Sequence, residues 1–343
     1  MNYYITKPCS LECSSGGVTA RLSDTGALVK IPIETVSNLY LLNDAVVVPC
    51  SVFNLLNKLA IPVVMLDFFG RIHTISQPTN VKESGVLIIR QSTAYKQNKE
   101  RLYIAKTILH AGVTQILDNI KYYAYRDHRT VSEACVLKIE ELLQKLLHAT
   151  TVDGIMGYEG NIRKAYYSLW SNIMPLEENF FRSYNPPTTP LNAILSYLNS
   201  LVYGLINQSI LASPLSNAIG YIHAPQHNTR PTLCLDLSEI FKPMLADPIL
   251  FSLVNKGMLK PSHYVKNSEG VLLSDEGKKL VLTAWDSQIK TTFQFRPLKR
   301  LISYQKLIDV NVFRLIKYLL GEQHTLYFSS QHREVIQLPE KSP

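Results

Sequence analysis

The sequence predicts an α+β fold with two domains, a small β-rich domain over residues 1–90 and a larger all-α domain over residues 91–330. Short runs of β-branched and apolar residues between turn signals predict the first domain, and apolar residues at helical spacing predict the second. A chain of 343 residues, 46% hydrophobic and 18% charged, is long and apolar enough for two folded domains. The polar end, residues 331–343, is expected to form a disordered tail.

The first domain is predicted to consist of strands and one helix. The predicted strands cover residues 27–33, 46–48, 63–69 and 72–75. The last two are expected to form a hairpin around residues 69–71. Ser51 is the predicted N-cap of a short helix that runs through Leu59, since its hydroxyl can accept a hydrogen bond from a free amide. No motif in this domain carries chemistry.

The second domain is predicted to be helical from about residue 91 to about residue 320. Apolar residues recur with helical spacing at Leu102, Ala105, Leu109, Ile116 and Ile120, and again at Val136, Ile139, Leu142, Leu143 and Leu146. This spacing places them on one face of each helix, as a helix packed against a core requires.

A long stretch, residues 183–229, contains no Asp, Glu, Lys or Arg. Such a stretch can cross a bilayer. It also carries polar residues spaced by three or four, which lie on one face of a helix: Asn192, Ser196, Asn199, Tyr203 and Asn207. We therefore predict a buried central helix with a polar stripe and no membrane span. The stripe forms either a hydrogen-bonded seam between helices or the lining of a site, and the residues leave both open.

The formal net charge is +8, and the first 92 residues contribute little because seven basic residues there face six acidic ones. The cationic remainder favours a polyanionic partner such as DNA, although an ordinary basic protein has the same composition. The five cysteines form no dense framework, and the N-terminus does not have the pattern of a signal peptide. A reducing cytoplasm is therefore the expected location.

Three short motifs carry residues capable of metal chemistry: GYEGN at 157–161, GYIH at 220–223 and LCLDLSE at 233–239. The flanking glycines of the first suggest a close backbone approach, whereas a glutamate that opens a helix more often interacts with the helix dipole. In the second, His223 competes with His227 for any ligand role. In the third, a helix would place Asp236 and Glu239 on one side and a strand would separate them, and periodicity does not decide.

The order of these motifs, with PLNAILSY at 190–197 and LDLSEIFKP at 235–243 between and after them, resembles the CRISPR adaptation integrase family, CRISPR-associated protein one. Further matches lie at 253–257, 270–273 and in a closing helix at 303–321, so that the resemblance covers nearly the whole chain. It implies a β-rich N-terminal domain that dimerises and an α-helical catalytic domain.

The resemblance also implies roles for individual residues. Glu159, His223 and Glu239 would bind a divalent metal, Mg²⁺ or Mn²⁺, and Asp236 would be the auxiliary catalytic acid beside them. The same resemblance favours a site-lining role for three members of the polar stripe: Asn192, Ser196 and Tyr203.

Three basic residues next to the implied ligands are candidate phosphate contacts: Arg163, Lys164 and Lys242. For any one of them taken alone, a solvated surface charge is the more ordinary role. The family more often has arginine at the position of Lys242, which would replace a bidentate phosphate contact with a point charge. The segment 184–187 lacks a further arginine that is usual in the family. These departures concern the grip on DNA.

The implied function is that of a metal-dependent DNA integrase and endonuclease. It would insert short DNA fragments, or spacers, into a CRISPR repeat array by attack of a 3′-hydroxyl on a phosphodiester, and would hydrolyse DNA when water attacks. It would act as a homodimer with a small ferredoxin-like adaptation subunit in antiviral defence. Two alternatives use the same observations: a stand-alone metal-dependent nuclease for branched or repair DNA, and a non-catalytic architectural DNA-binding protein.

Overall fold

The protein divides into two compact units, residues 1–82 and 83–343. The structure is a computed structural model. It describes residues 2–14, 17–67, 72–76, 84–126, 132–176, 178–226, 230–268, 270–328 and 336–337. The second unit begins just ahead of the first long helix of the chain, whose cap is Ser84.

The first unit contains two four-stranded sheets and one helix within the described residues. Its elements are β1 (Asn2–Ile5), β2 (Cys9–Ser14), β3 (Gly17–Leu22), β4 (Leu28–Ile31), β5 (Asn38–Leu41), β6 (Val46–Val47), α1 (Cys50–Lys58), β7 (Val63–Leu66) and β8 (Ile72–Ser76). The sheet orders are β1-β5-β7-β8 and β4-β3-β2-β6. Both sheets and α1 contribute side chains to one core, for example Leu11, Leu39 and Leu56. That shared core makes the unit a self-contained hydrophobic body.

Most predictions for the first unit are confirmed. Strands β4, β6, β7 and β8 lie where apolar runs predicted them, and β7 pairs antiparallel with β8 as a hairpin requires. The predicted turn at 69–71 lies outside the described residues. The prediction for Ser51 is wrong: α1 begins one residue earlier, at Cys50, after Pro49, and no side chain caps it. Proline suits that boundary because it has no backbone amide that needs an acceptor.

The second unit is mainly helical. Its helices are α2 (Gly85–Lys96), α3 (Asn98–Arg126), α4 (Glu133–His148), α5 (Val152–Ser168), α6 (Trp170–Ile173), α7 (Pro190–Leu211), α8 (Thr232–Phe241), α9 (Asp247–Asn255), α10 (Asp275–Lys290) and α11 (Tyr304–Leu320). A π-helix at Lys242–Ala246 joins α8 to α9 without a break. The prediction of an all-α domain is wrong in one respect, because antiparallel strand pairs lie between and after the helices. These are β9 (Tyr264–Asn267) with β10 (Gly270–Leu273), β11 (Thr292–Phe295) with β12 (Arg300–Ser303), and β13 (Tyr327–Phe328) with β14 (Ile336–Gln337).

Caps explain where two of the predicted helices begin and end. The Ser303 hydroxyl accepts a hydrogen bond from the Lys306 amide at the start of α11, and Gly321 ends that helix with a φ of 78°. A positive φ at a helix end favours glycine, so a glycine at this position in the sequence predicts where the helix ends. Thr189 caps α7 in the same way as Ser303 caps α11, and Pro190 follows it as the first helical residue.

The helical part of the uncharged stretch, α7, forms a buried centre of the second unit. Helix α7 buries both its apolar residues and polar ones such as Asn192 and Asn207. Across the described part of the chain, no helix has the length and hydropathy needed to span a bilayer. The predicted tail at 331–343 lies outside the described residues, except for residues 336–337.

Candidate active site

Helices α5 and α8 bring two glutamates to the same place. Glu159 lies in the middle of α5, which begins seven residues earlier at Val152, so a role at the helix dipole is excluded. Residues 232–241 form a helix, which decides the question that periodicity left open. Glu239 is consequently on α8, three residues after Asp236, but the two carboxylates have different partners.

Arg163 links the two glutamates. Its Nε lies 3.2 Å from a Glu159 carboxylate oxygen, and one terminal nitrogen donates to Glu239 at 2.7 Å. Lys242 donates to the other oxygen of Glu239, also at 2.7 Å. The side chains of Arg163, Lys242 and Glu239 are only 12–16% exposed, and that of Glu159 is 27% exposed. Two acidic and two basic side chains thus form one half-buried cluster, which we call the acid–base cluster.

The pKa values of the two carboxylates in the acid–base cluster are shifted in opposite directions. Burial raises the pKa of Glu159, and the nearby charge of Glu239 raises it further against the opposing effect of Arg163. Burial also opposes ionisation of Glu239, but Lys242 and Arg163 outweigh it and lower its pKa to about 2. Because carboxylates this close repel each other, the cluster is a place where added positive charge is favourable.

Asp236 has quite different surroundings. Its side chain is fully buried and accepts hydrogen bonds from the backbone amides of Tyr221, Ile222 and His223. The Nδ1 atom of His223 lies 2.8 Å from Asp236 Oδ1. A carboxylate only accepts here, so Nδ1 is the donor, and in the neutral imidazole Nε2 is then the atom with the free lone pair. Asp236 therefore organises the 220–223 loop and orients the imidazole.

The backbone at Gly220 and at Gly112 packs closely against α8, and only glycine fits there. Neither residue belongs to the first motif, GYEGN. A Cβ atom on Gly220 would lie 2.7 Å from Asp236 Oδ2, and one on Gly112 would lie 2.4 Å from the Glu239 carbonyl oxygen. Gly157 and Gly160 have no atom within 4 Å of such a position. The close approach predicted at the glycines beside Glu159 is wrong, and Gly112 in α3 was missed because it lies in an ordinary helical pattern.

Side chains of α2, α3 and α8 anchor the loop before His223. The Gln91 amide donates to the carbonyls of Ser216 and Ile219, both at 2.8 Å. Arg101 donates to the Tyr221 carbonyl at 2.9 Å, and the Thr232 hydroxyl accepts from the Gly220 amide. Buried backbone groups in a loop need such hydrogen-bond partners. These bonds hold the backbone before His223 in place and so restrict the position of its imidazole.

The polar stripe of α7 has different contacts along its length, and its role as the lining of a site stays a prediction. At its start, Asn192 and Ser196 hydrogen-bond the guanidinium of Arg182, each at 3.0 Å. Further along, the Tyr203 ring lies under Lys242, with the Nζ atom 5.1 Å from the ring centroid. The stripe therefore reaches the acid–base cluster through Tyr203. Arg182 was missed, although it is the last charged residue before the uncharged stretch and a natural partner for a buried polar stripe.

Two other predicted residues have different positions. Lys164 is exposed and lies with Lys138 along the groove between α4 and α5, away from the helix face that carries Glu159. His227 lies outside the described residues. Among the residues described, no three histidine, cysteine, aspartate or glutamate side chains are close enough to hold a metal ion. The predicted ligand set of Glu159, His223 and Glu239 thus stays a prediction.

Comparisons with known proteins agree on one family. The family described as "CRISPR associated protein Cas1" matches residues 3–287. The CRISPR-associated endonuclease Cas1 of Fusobacterium nucleatum is 32% identical over 294 residues, which cover 85% of this chain and 86% of the relative.

Two solved structures share the fold. The structure of a Cas1 protein from Thermotoga maritima covers 94% of this chain and 98% of its own, with a TM-score of 0.80 and 25% identity. A casposase bound to an integration product has a TM-score of 0.81 at 19% identity over 95% of this chain and 92% of its own. Together with the sequence matches, these findings place the chain in the CRISPR-associated Cas1 family.

Proposed function

We propose that this protein is a metal-dependent DNA endonuclease and integrase that inserts short DNA fragments into a CRISPR repeat array. The observation that carries the proposal is the convergence of Glu159 and Glu239 on one half-buried cluster with Arg163 and Lys242. The relative from Fusobacterium nucleatum, named an endonuclease, supports the reaction class. We further propose that the first unit mediates homodimerisation, and that a small ferredoxin-like subunit completes the complex.

The donor set fits Mg²⁺ or Mn²⁺. Glu159 and Glu239 offer the hard oxygen ligands that these cations prefer, and a neutral imidazole suits a manganese-like ion. Burial and then the charge of Glu239 raise the pKa of Glu159, and a divalent cation would offset both effects. When bound, such a cation would polarise the scissile phosphate and lower the pKa of the attacking hydroxyl.

The chain itself contributes orientation and positive charge. The Asp236 carboxylate holds the imidazole of His223 through Nδ1, so that in the neutral form Nε2 is the atom left to bind a metal. Lys242 and Arg163 neutralise the glutamates, and Lys242 is 16% exposed beside the Tyr203 ring. We propose that Lys242, the more exposed of the two cations, contacts the phosphate of the DNA strand as its charge increases during attack by a 3′-hydroxyl. Acid should weaken metal binding, since protons compete for His223.

Two charge-neutralising variants, Glu159→Gln and Glu239→Gln, test this proposal. Each should lower Mn²⁺-dependent joining of a short duplex to a repeat-containing plasmid by about a hundredfold or more, because a metal ligand is lost. Gel assays of joined and cut products measure the two reactions separately. Glu141→Gln is the matched control, since Glu141 pairs with Lys145 on the surface of α4.

Unchanged joining by either active-site variant would exclude the proposal. Cutting without joining by the wild-type protein would favour a stand-alone nuclease. Salt-sensitive DNA binding that does not respond to Mn²⁺ or Mg²⁺ would favour an architectural protein. Circular dichroism of each variant shows whether the fold is retained.

A further inference from the structure

A third carboxylate, Asp247, is buried near the acid–base cluster and has no role in the function proposed above. It is 2% exposed and is the first residue of α9. Residues 232–255 are helical without interruption, through α8, the π-helix and α9. A π-helical turn within a longer helix often marks a functional site.

The usual reason for an aspartate at the start of a helix does not apply to Asp247. Such residues accept hydrogen bonds from the free amides of the first turn and favour the positive end of the dipole. Here the preceding residues Phe241 and Ala246 already have helical dihedrals, with φ and ψ of −95° and −20° and of −69° and −50°. The amides near Asp247 belong to a continuing helix, so its charge is not needed there.

One oxygen of Asp247, Oδ2, is buried and has no hydrogen-bond partner. The hydroxyl of Tyr166 interacts with the carboxylate, and Asn119 donates to both Tyr166 and the Pro243 carbonyl, at 3.3 and 2.6 Å. Burial raises the pKa of Asp247 to about 6, against favourable interactions with Arg163 and Lys242. A buried carboxylate oxygen without a hydrogen bond is energetically unfavourable. This points to a hydrogen-bond donor that reaches Oδ2 in another conformation of the protein.

Arg163 is the group that would need such a partner. Its guanidinium bonds to both Glu159 and Glu239, which are the carboxylates that a divalent cation would take. A cation at the two glutamates would then displace at least one of these bonds. Arg163 is 13% exposed, so water could not readily replace the lost acceptor. A buried arginine without an acceptor would be strongly unfavourable.

We propose that Asp247 is a positioning residue whose Oδ2 accepts the guanidinium of Arg163 when a divalent cation binds Glu159 and Glu239. The inference rests on the proposed metal-dependent function. In this arrangement Arg163 exchanges one acidic partner for another within the same buried region. Binding of the cation then does not leave the Arg163 guanidinium without an acceptor.

A double-mutant cycle tests the inference. Mn²⁺ affinity is measured by isothermal titration calorimetry for the wild type, Asp247→Asn, Arg163→Gln and the double variant. Asp247→Asn should weaken Mn²⁺ binding by about tenfold to a hundredfold, as the loss of groups that support metal ligands typically does. In the Arg163→Gln background the same change should alter the affinity less than twofold, because no guanidinium remains to be received.

The matched control is Asp286→Asn. Asp286 also has a buried unpaired oxygen but pairs with Lys290 on α10, and it should leave Mn²⁺ affinity unchanged. Equal losses in both Arg163 backgrounds would show a merely structural role and overturn the inference, as would a loss below twofold for Asp247→Asn alone. A wild-type protein that binds no Mn²⁺ would instead refute the proposed function.

A second measurement applies if Asp247→Asn does not fold. A crystal structure of the wild-type protein soaked with Mn²⁺ should show a terminal nitrogen of Arg163 within about 3.2 Å of Asp247 Oδ2. Manganese bound by the two glutamates, with no terminal nitrogen of Arg163 within hydrogen-bond distance of Asp247 Oδ2, would overturn the inference.

Discussion

The two carboxylates of α8 are three residues apart and have opposite surroundings. Asp236 is fully buried, and its acceptors are saturated by backbone amides of the 220–223 loop and by His223. Glu239 is partly exposed, and its partners are the side chains of Arg163 and Lys242. Backbone amides in a packed loop cannot move away, whereas long basic side chains can exchange partners.

This difference separates a carboxylate that stabilises the fold from one that is available to bind a cation. A carboxylate held by backbone amides stabilises a loop and orients an imidazole, but it has little capacity left for a metal or a proton. A carboxylate held by side chains stays ionised and can accept another cation. We therefore expect Asp236 to matter first for stability, and Glu239 first for metal binding and reaction.

The largest expected effect contrasts Asp236→Ala with Glu239→Ala. Asp236→Ala should lower the free energy of unfolding by about 3–5 kcal/mol, because it leaves buried amides and His223 without an acceptor. Glu239→Ala should cost less, about 1–3 kcal/mol, since Arg163 keeps Glu159 as an acceptor although Lys242 loses its carboxylate partner. Urea unfolding at pH 7.5 with EDTA measures both. Equal losses would abolish the distinction drawn above.

The third buried carboxylate, Asp247, should make the free energy of unfolding depend on pH. Its folded pKa is raised from 3.8 to about 6, so the folded state binds the proton more tightly than the unfolded state. The stabilisation is complete below about pH 4 and is lost as the pH rises through about 6. The stability of the wild type relative to Asp247→Asn should therefore fall by up to about 3 kcal/mol between pH 4 and 7. Urea unfolding of both proteins across this range measures it, and a flat difference would contradict it.

Glycine variants give the smallest of these effects. Gly220→Ala should destabilise the protein by about 1–3 kcal/mol, because the new Cβ would press on Asp236 and on the Thr232 backbone. Gly160→Ala, in the open middle of α5, should stabilise by about 0.5–1 kcal/mol. Thermal unfolding measures both changes. If Gly220→Ala were neutral, the packing of the loop against Asp236 would be looser than described.

Much of the fold was predictable because local chemistry agreed with it. The ends of α11 follow from Ser303 as a cap and Gly321 as a residue that accepts a positive φ. The strands of the first unit follow from apolar runs. The strand pairs β9–β10 and β11–β12 were missed because they are short and lie between helices, in a region where the helical spacing of apolar residues decided the prediction.

The sequence indicated candidate residues for the site but not their contacts. Motif order and family resemblance indicated Glu159, His223, Asp236 and Glu239, and the structure places the first and last of these around Arg163. The sequence alone favoured a phosphate contact or a solvated charge for Arg163. Its link between two helices depends on residues 76 positions apart, which no local pattern records.

By itself the sequence determined most of the helices and several strands of the first unit, a buried central helix with a polar stripe, and the candidate residues for metal chemistry. Those properties depend on neighbours within a few positions, where spacing and capping act. The tertiary structure decided that Asp236 builds the loop, that Glu239 keeps exchangeable partners, and that Asp247 has an unpaired oxygen. The reason is physical: the role of a carboxylate depends on its burial and on the groups that surround it in space.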